Sequence, residues 1–154
     1  MRLVSSAQTG HMSNITVRLV ETEEDMEEAV GVRFRVFVDE QSIPPEEELD
    51  EYDAVATHAI AFDGGQAIGT GRVIIADGVA RIGRMAVDLP HRRRGVGGLL
   101  LRFLESEAQA QGATQYVLHA QEYVKSFYAA HGYTEQGQPF LEVDIPHVEM
   151  RKGT

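Results

Sequence analysis

Asp88-Leu89-Pro90-His91-Arg92-Arg93-Arg94-Gly95-Val96-Gly97-Gly98-Leu99-Leu100-Leu101-Arg102-Phe103-Leu104 joins two apolar segments of different kinds. Ahead of it, Ile82 to Val87 reads as a strand, while its own second half reads as a strongly apolar helix. Between them lies a short basic loop holding Gly95, Gly97 and Gly98. Glycine lets the backbone turn tightly and approach a ligand with no Cβ in the way. The first helical turn leaves N–H groups without intrahelical partners, and the helix dipole adds partial positive charge there. Together these suit an anion such as pyrophosphate, and Arg92, Arg93 and Arg94 add side-chain donors matched to phosphate oxygens.

Two common nucleotide loops are absent. Gly95-Val96-Gly97-Gly98 lacks the Gly-x-Gly-x-x-Gly spacing, and no Gly-Lys-Ser/Thr follows it. The stretch does satisfy Arg/Gln-x-x-Gly-x-Gly/Ala, as Arg92-Arg93-Arg94-Gly95-Val96-Gly97. A second stretch, Phe127-Tyr128-Ala129-Ala130-His131-Gly132-Tyr133, satisfies Phe-Tyr-x-x-x-Gly-Phe/Tyr. On these residues the chain resembles the GNAT superfamily of acyl-coenzyme A N-acetyltransferases. Val36-Phe37-Val38-Asp39-Glu40-Gln41-Ser42-Ile43-Pro44, Gly83-Arg84-Met85-Ala86-Val87, Leu118-His119-Ala120-Gln121 and Ile145-Pro146-His147 carry the resemblance further, to its YjcF/ElaA-like branch. That branch names a cofactor and a reaction better than it names an acceptor.

The bulk properties agree with such an enzyme. At 154 residues the chain is long enough for one domain with a real core and too short for two ordinary ones. The sequence has no cysteine, which excludes disulfides, thiolate metal sites and a cysteine nucleophile, and fits a cytoplasmic protein. A net charge of −10 argues against a broad nucleic-acid or anionic-membrane surface. Arg92 to Arg94 concentrate positive charge on this acidic body, which suits a small anionic ligand. No run reaches the length of a membrane span. Residues 1–12 lack a signal-peptide core and are set aside as an N-terminal extension or leader, leaving 13–154 as a single domain.

The order of elements follows from period and punctuation. Ile15 to Val20 alternates as a strand, and Thr22 with Asp25 approximates a capping box for a helix. Met26, Val30, Phe34 and Phe37 form the expected apolar stripe of that helix, with Arg33 and Arg35 at its sides. Residues 39–53 are acidic, contain tandem prolines and read as a long loop, or at most a short helical turn after Pro45, either solvated or functional. Three hairpin strands follow, 57–62, 67–75 and 79–87, with Gly69 and Gly71 marking a bulge or close packing. After the helix 95–111 come a strand at 115–119, a short helix at 123–130 and closing strands at 133–136 and 140–150. The expected fold is α/β, a mixed sheet flanked by helices, in the order of the GNAT fold.

The resemblance assigns roles. Arg92, Arg93, Arg94, Gly95, Val96, Gly97 and Gly98 would hold the pyrophosphate of acetyl-CoA, with Gln121 and Phe127 beside the cofactor. Met85, Ala86 and Val87 would align the pantetheine arm on a splayed strand edge, with a backbone N–H polarising the thioester carbonyl. Tyr128 would protonate the leaving thiolate; a phenol of pKa about 10 can donate to a thiolate whose thiol resembles cysteine. From the residues alone, Tyr128 is equally an aromatic of the core. Arg33, Glu40, Glu48, Asp50, Asp53 and His58 are candidates for the acceptor pocket, with His58 or Glu48 as a base; His119 is another, or a strand histidine with one structural hydrogen bond. His91, His131 and His147 lack zinc spacing, so no metal is expected. The acceptor is expected to be a small-molecule or peptide amine, attacking directly in a ternary complex. Acyl-homoserine-lactone synthesis and an acyl-CoA-sensing module without turnover stand as alternatives, and the C-terminal strands could pair two copies into a homodimer.

Overall fold

Seven strands form one mixed sheet in the order β1-β2-β3-β4-β5-β7-β6. The structure, a computed structural model, describes residues 14–154; the leader at 1–12 lies outside the described residues. The strands are β1 (Ile15–Leu19), β2 (Thr57–Asp63), β3 (Gln66–Ala76), β4 (Val79–Val87), β5 (Gln115–Gln121), β6 (Thr134–Glu142) and β7 (Ile145–Gly153). Among the described residues only β4 and β5 run parallel, joined by the crossover helix α3 (Val96–Ala110). This is the α/β fold read from the sequence.

One face of the sheet packs against α3 and α4 (Lys125–Ala130). Leu100, Leu101 and Leu104 of α3 are fully buried there with Ile82, Leu118 and Met150, each such side chain contributing roughly 1.5–3 kcal/mol. The other face carries α1 (Glu23–Arg33), a wide π-helical turn (Phe34–Glu40) and the short α2 (Pro45–Glu48). Thr22 caps α1 by accepting from the Asp25 N–H at 3.0 Å, and Arg18 clamps the Asp25 carboxylate at 2.7 and 2.9 Å. That clamp holds Asp25 well below the usual carboxylate range.

The inward stripe of this helix differs from expectation. Ala29, Val32, Val36 and Phe37 are buried, whereas Met26, Val30 and Phe34 are only half-buried. Arg33, expected at the side, is 1% exposed. Carboxylates from the following acidic segment draw Arg33 inward, and the change from α to π winding at Phe34 rotates the residues beyond it.

The C-terminal segments form one hairpin, turning at Val143 and Asp144 with φ of 45° and 62°. A β-branched residue is strained in this region. Packing of Val143 and Ile145 around the cluster of Ile43, Val36 and Phe37 offsets the strain.

Candidate active site

β4 begins in register with β5 and then leaves it. The parallel ladder runs from Val79↔Gln115 to Ile82↔Leu118 and stops. On the other side β4 stays paired to β3, where Gly83 faces Arg72 and Ala86 faces Thr70. Arg84 and Met85 therefore stand opposite the single residue Gly71, a β-bulge, with Arg84 at φ 53°. The bulge is on β4; the glycine that suggested it, Gly71, is the partner that makes room. A Cβ on Gly71 would lie 2.6 Å from Met85 Sδ and 2.8 Å from Leu104 Cδ1.

The extra residue flips the alternation of side chains. Ala80 and Ile82 belong to the core under α3, whereas Ala86 belongs to the core under α1. It also opens a wedge between the C-terminal halves of β4 and β5. Asp88 N–H donates to Ile68 O of β3 at 2.8 Å, so by alternation Val87 turns its N–H and C=O toward the open edge. Val87 O there accepts from Arg92 Nε at 2.8 Å. The Asp88 carboxylate closes the strand end in the fork of Arg35 at 2.8–3.1 Å.

At the mouth of this wedge sits the basic loop. Gly95 caps α3 at φ 81°, a conformation that favours glycine. Gly97 and Gly98 face the short helix α4: Phe127 Cζ and His131 Nε2 lie 3.4 and 3.2 Å from where their Cβ atoms would be. Their small size thus seats α4 on the first turn of α3. Arg92 is held by Glu40 through two bonds of 2.6 and 2.7 Å, and Arg94 pairs with Asp63 at 3.0 Å. Arg93 alone of the three takes no ion-pair partner among the described residues, and it is exposed with φ 64°.

Tyr128 is 8% exposed, edge-on to Phe127 at 5.0 Å and to Tyr133 at 6.0 Å. Behind it, the Tyr133 hydroxyl donates to Glu105 at 2.8 Å and Lys152 approaches the same carboxylate at 3.1 Å. Burial pushes the Tyr128 phenol well above its ordinary pKa, which keeps it protonated at neutral pH. Its hydroxyl takes no hydrogen-bond partner among the described residues.

The other face of the wedge is closed by the acidic segment. Arg33 binds Glu48 at 2.7 Å and Asp53 at 2.7 Å; Arg72 binds Asp50 at 2.7 Å and Asp53 at 2.8 Å; Arg84 reaches Glu48 at 3.3 Å and Asp50 at 3.2 Å. Three cations and three carboxylates balance. His58 Nε2 lies 2.9 Å from Asp53 O, and its burial lowers its pKa. Arg33, Glu48 and His58 are therefore brought together as members of one buried ionic network, and Glu40 stands apart on Arg92. Arg72 and Arg84 were missed. An arginine inside a buried strand is the signal that a carboxylate waits for it.

Gln41, at the end of the π turn, bridges to β5. Its amide and that of Gln121 exchange bonds of 3.2 and 2.9 Å, and Tyr123 joins at 3.0 Å. Next to Gln121 on this face, His119 Nδ1 lies 2.9 Å from Glu142 and its Nε2 3.8 Å from Glu149. The Glu142 hydrogen bond raises the His119 pKa.

The comparisons with known proteins agree with this geometry. The acetyltransferase (GNAT) domain model matches residues 21–154. The chain belongs to the GNAT family. This GNAT chain is 38% identical over 135 residues to the uncharacterized N-acetyltransferase YjcF of Bacillus subtilis, covering 87% of this chain and 96% of that protein. It superposes on an acyl-CoA N-acyltransferase from Pseudomonas aeruginosa with a TM-score of 0.78 at 28% identity, covering 90% and 98% of the two chains. Escherichia coli ElaA shares the fold at a TM-score of 0.79 and 23% identity, covering 90% and 99%. Family membership supports an acyl-CoA-dependent N-acyltransferase activity. Among the described residues of this GNAT chain no helix is long and apolar enough to cross a membrane, and no cluster of metal ligands is found.

Proposed function

We propose that the chain is an acetyl-CoA-dependent N-acetyltransferase acting on a primary amine by direct attack. The observation that carries this reading is the half-made ladder between β4 and β5, which presents the Val87 backbone edge beside the N-terminus of α3. These residues fit an acyl-CoA: unpaired strand edge for an amide-bearing arm, and unpaired helix N–H groups for a diphosphate.

The backbone of Gly95 to Gly98 and the Arg93 guanidinium hold the diphosphate, and Arg92 reaches it by exchanging Glu40 for phosphate. Val87 N–H donates to the thioester oxygen and stabilises the charge that develops on it. The bound acetyl-CoA supplies the electrophilic carbonyl carbon and the thiolate leaving group. Tyr128, neutral and uncommitted, donates its proton to the departing sulfur. The acceptor enters on the face of α1 and α2, where Gln41, Arg84, His119 and Gln121 surround the wedge.

The test is release of coenzyme A thiol from acetyl-CoA across polyamines, amino sugars, amino acids and peptide N-termini. Amine-dependent release that falls about 10²–10⁴-fold in Tyr128→Phe, with acetyl-CoA affinity retained, is the expected result. Saturable binding with no release from any amine would turn the reading toward an acyl-CoA-sensing module.

A further inference from the structure

Direct attack requires that an ammonium lose its proton, so a group on the acceptor face must take it. Five carboxylates around the wedge are committed to cations: Glu48, Asp50 and Asp53 to the three arginines, Glu142 to His119, and Glu149 to Arg151 at 2.8 Å. Among the described histidines, His58 also has its tautomer set by a carbonyl, Asp53 O, but its buried ring stands beside the Arg33 and Arg72 guanidiniums, which oppose its taking a proton; His91 lies against Arg94 at 2.9 Å, and both ring nitrogens of His119 face carboxylates. His131 belongs to the opposite face, against Phe127 O and Arg102.

His147 is different. It lies on β7 directly opposite Gln121, and opposite Phe140 of β6. Its neighbours Val148 and Met150 point into the core under α3, with Val148 directly beside it in the strand, so His147 points to the acceptor face. The ring is 5% exposed and stacked on Phe140 at 6.1 Å with an interplanar angle of 24°. Its Nδ1 lies 2.7 Å from Ile145 O. A carbonyl only accepts, so Nδ1 carries the hydrogen and Nε2 carries a lone pair. Nothing among the described residues donates to Nε2, yet Nε2 is not a sealed, unsatisfied atom; solvent reaches it. The charged groups around it are Glu142, which feels both His147 and Arg84, with His119 and Glu149 on the adjoining strand positions.

Building on the acetyltransferase reading, we propose that His147 is the general base of this site, its Nε2 accepting the proton of the acceptor ammonium directly or through one water. The amine nitrogen then bonds to the acetyl carbon, the carbon–sulfur bond breaks as the proton on Tyr128 passes to sulfur, and the second nitrogen proton, lost as the amide forms, returns Tyr128 to its phenol through water while His147 releases its proton to solvent. Ile145 O fixes the tautomer and Phe140 fixes the plane, so the lone pair is held ready without reorganisation.

The test is steady-state kinetics of wild type, His147→Gln and Tyr128→Phe with an amine found active in the panel. His147→Gln is expected to lose about 10²–10⁴-fold in kcat, to keep the acetyl-CoA Kd, and to differ from wild type in the pH profile of kcat/KM. Added imidazole is expected to restore part of the rate to His147→Ala. Wild-type rates and an unchanged pH profile in His147→Gln, with Tyr128→Phe impaired, would overturn the base and leave the transferase standing. No turnover by wild type would overturn both. Wild-type protein labelled with ¹⁵N-histidine gives a readout independent of folding variants: His147 protonated on Nε2 in the neutral ring would overturn the proposal.

Discussion

Replacing Arg33 by methionine keeps the length and most of the volume of the side chain and removes its charge. In the wild type the guanidinium is 1% exposed, with Nε on Glu48, Nη1 and Nη2 on Asp53, and Nη2 also on Glu48 O. The network then holds two cations against three carboxylates, with Glu48 only 2% exposed. Removing one partner of a buried ionic cluster costs about 3–5 kcal/mol, because the remaining charge stays desolvated. For a chain of 154 residues that corresponds to a Tm lower by roughly 6–20 °C. Burial already pushes the Glu48 carboxyl up against the pull of Arg33 and Arg84. Without Arg33 its folded-state pKa rises further above the unfolded value, a cost present at neutral pH and relieved as pH falls through that pKa. Urea unfolding followed by circular dichroism should therefore show a larger loss at about pH 8 than at about pH 5. Glu48→Gln in the same chain should recover part of the loss, read as a coupling energy in a double-mutant cycle. A loss under about 1 kcal/mol, or one that grows as pH falls, would refute the view that this network is closed and charge-balanced.

Two further perturbations address the wedge. Gly71→Ala places a methyl 2.6 Å from Met85 Sδ and 2.8 Å from the fully buried Leu104; it should cost about 1–3 kcal/mol in chemical denaturation and raise the KM for acetyl-CoA by displacing the bulge. Glu142→Gln removes the hydrogen bond that raises the His119 pKa, so the His119 titration followed by NMR should move down toward the ordinary histidine value. A group with a raised folded pKa stabilises below its unfolded pKa and loses that effect as pH rises through the folded one, so any destabilisation by Glu142→Gln should be seen in mildly acidic solution and vanish in alkaline solution.

The fold was legible because its elements are punctuated by short-range signals: Asp77-Gly78 and Gly64-Gly65 at hairpins, Thr22 at a cap, Gly112 and Gly132 at helix ends. The strands at β4 and the glycine loop of α3 were legible for the same reason. What escaped depends on long-range partners. Arg33 could be known as buried only once Glu48 and Asp53, 15 and 20 residues on, were seen to fold back upon it. The bulge at Arg84 carries no glycine of its own; Gly71, on the neighbouring strand, is its trace. Glycines 97 and 98 read as room for a ligand at the backbone; that their missing side chains also accommodate Phe127 and His131 appears only in the structure. His147 looked idle because its meaning lies in a tautomer, which a carbonyl two residues away sets.

The bulge at Arg84 and Met85 has a mechanical side. Among the described residues, the backbone ladder joining β1–β4 to β5–β7 consists of the pairs from Val79↔Gln115 to Ile82↔Leu118. Two plates thus share a short seam at one end, and at the other end side chains alone span the gap, Gln41 to Gln121 and Tyr123. An acyl-CoA lying along the open edge would act as a rivet between the plates, and its concentration would set their rigidity. At a hundredfold excess over Kd such a ligand would stabilise the folded state by about 2.7 kcal/mol, and the stiffness of the sheet would then report the supply of that ligand.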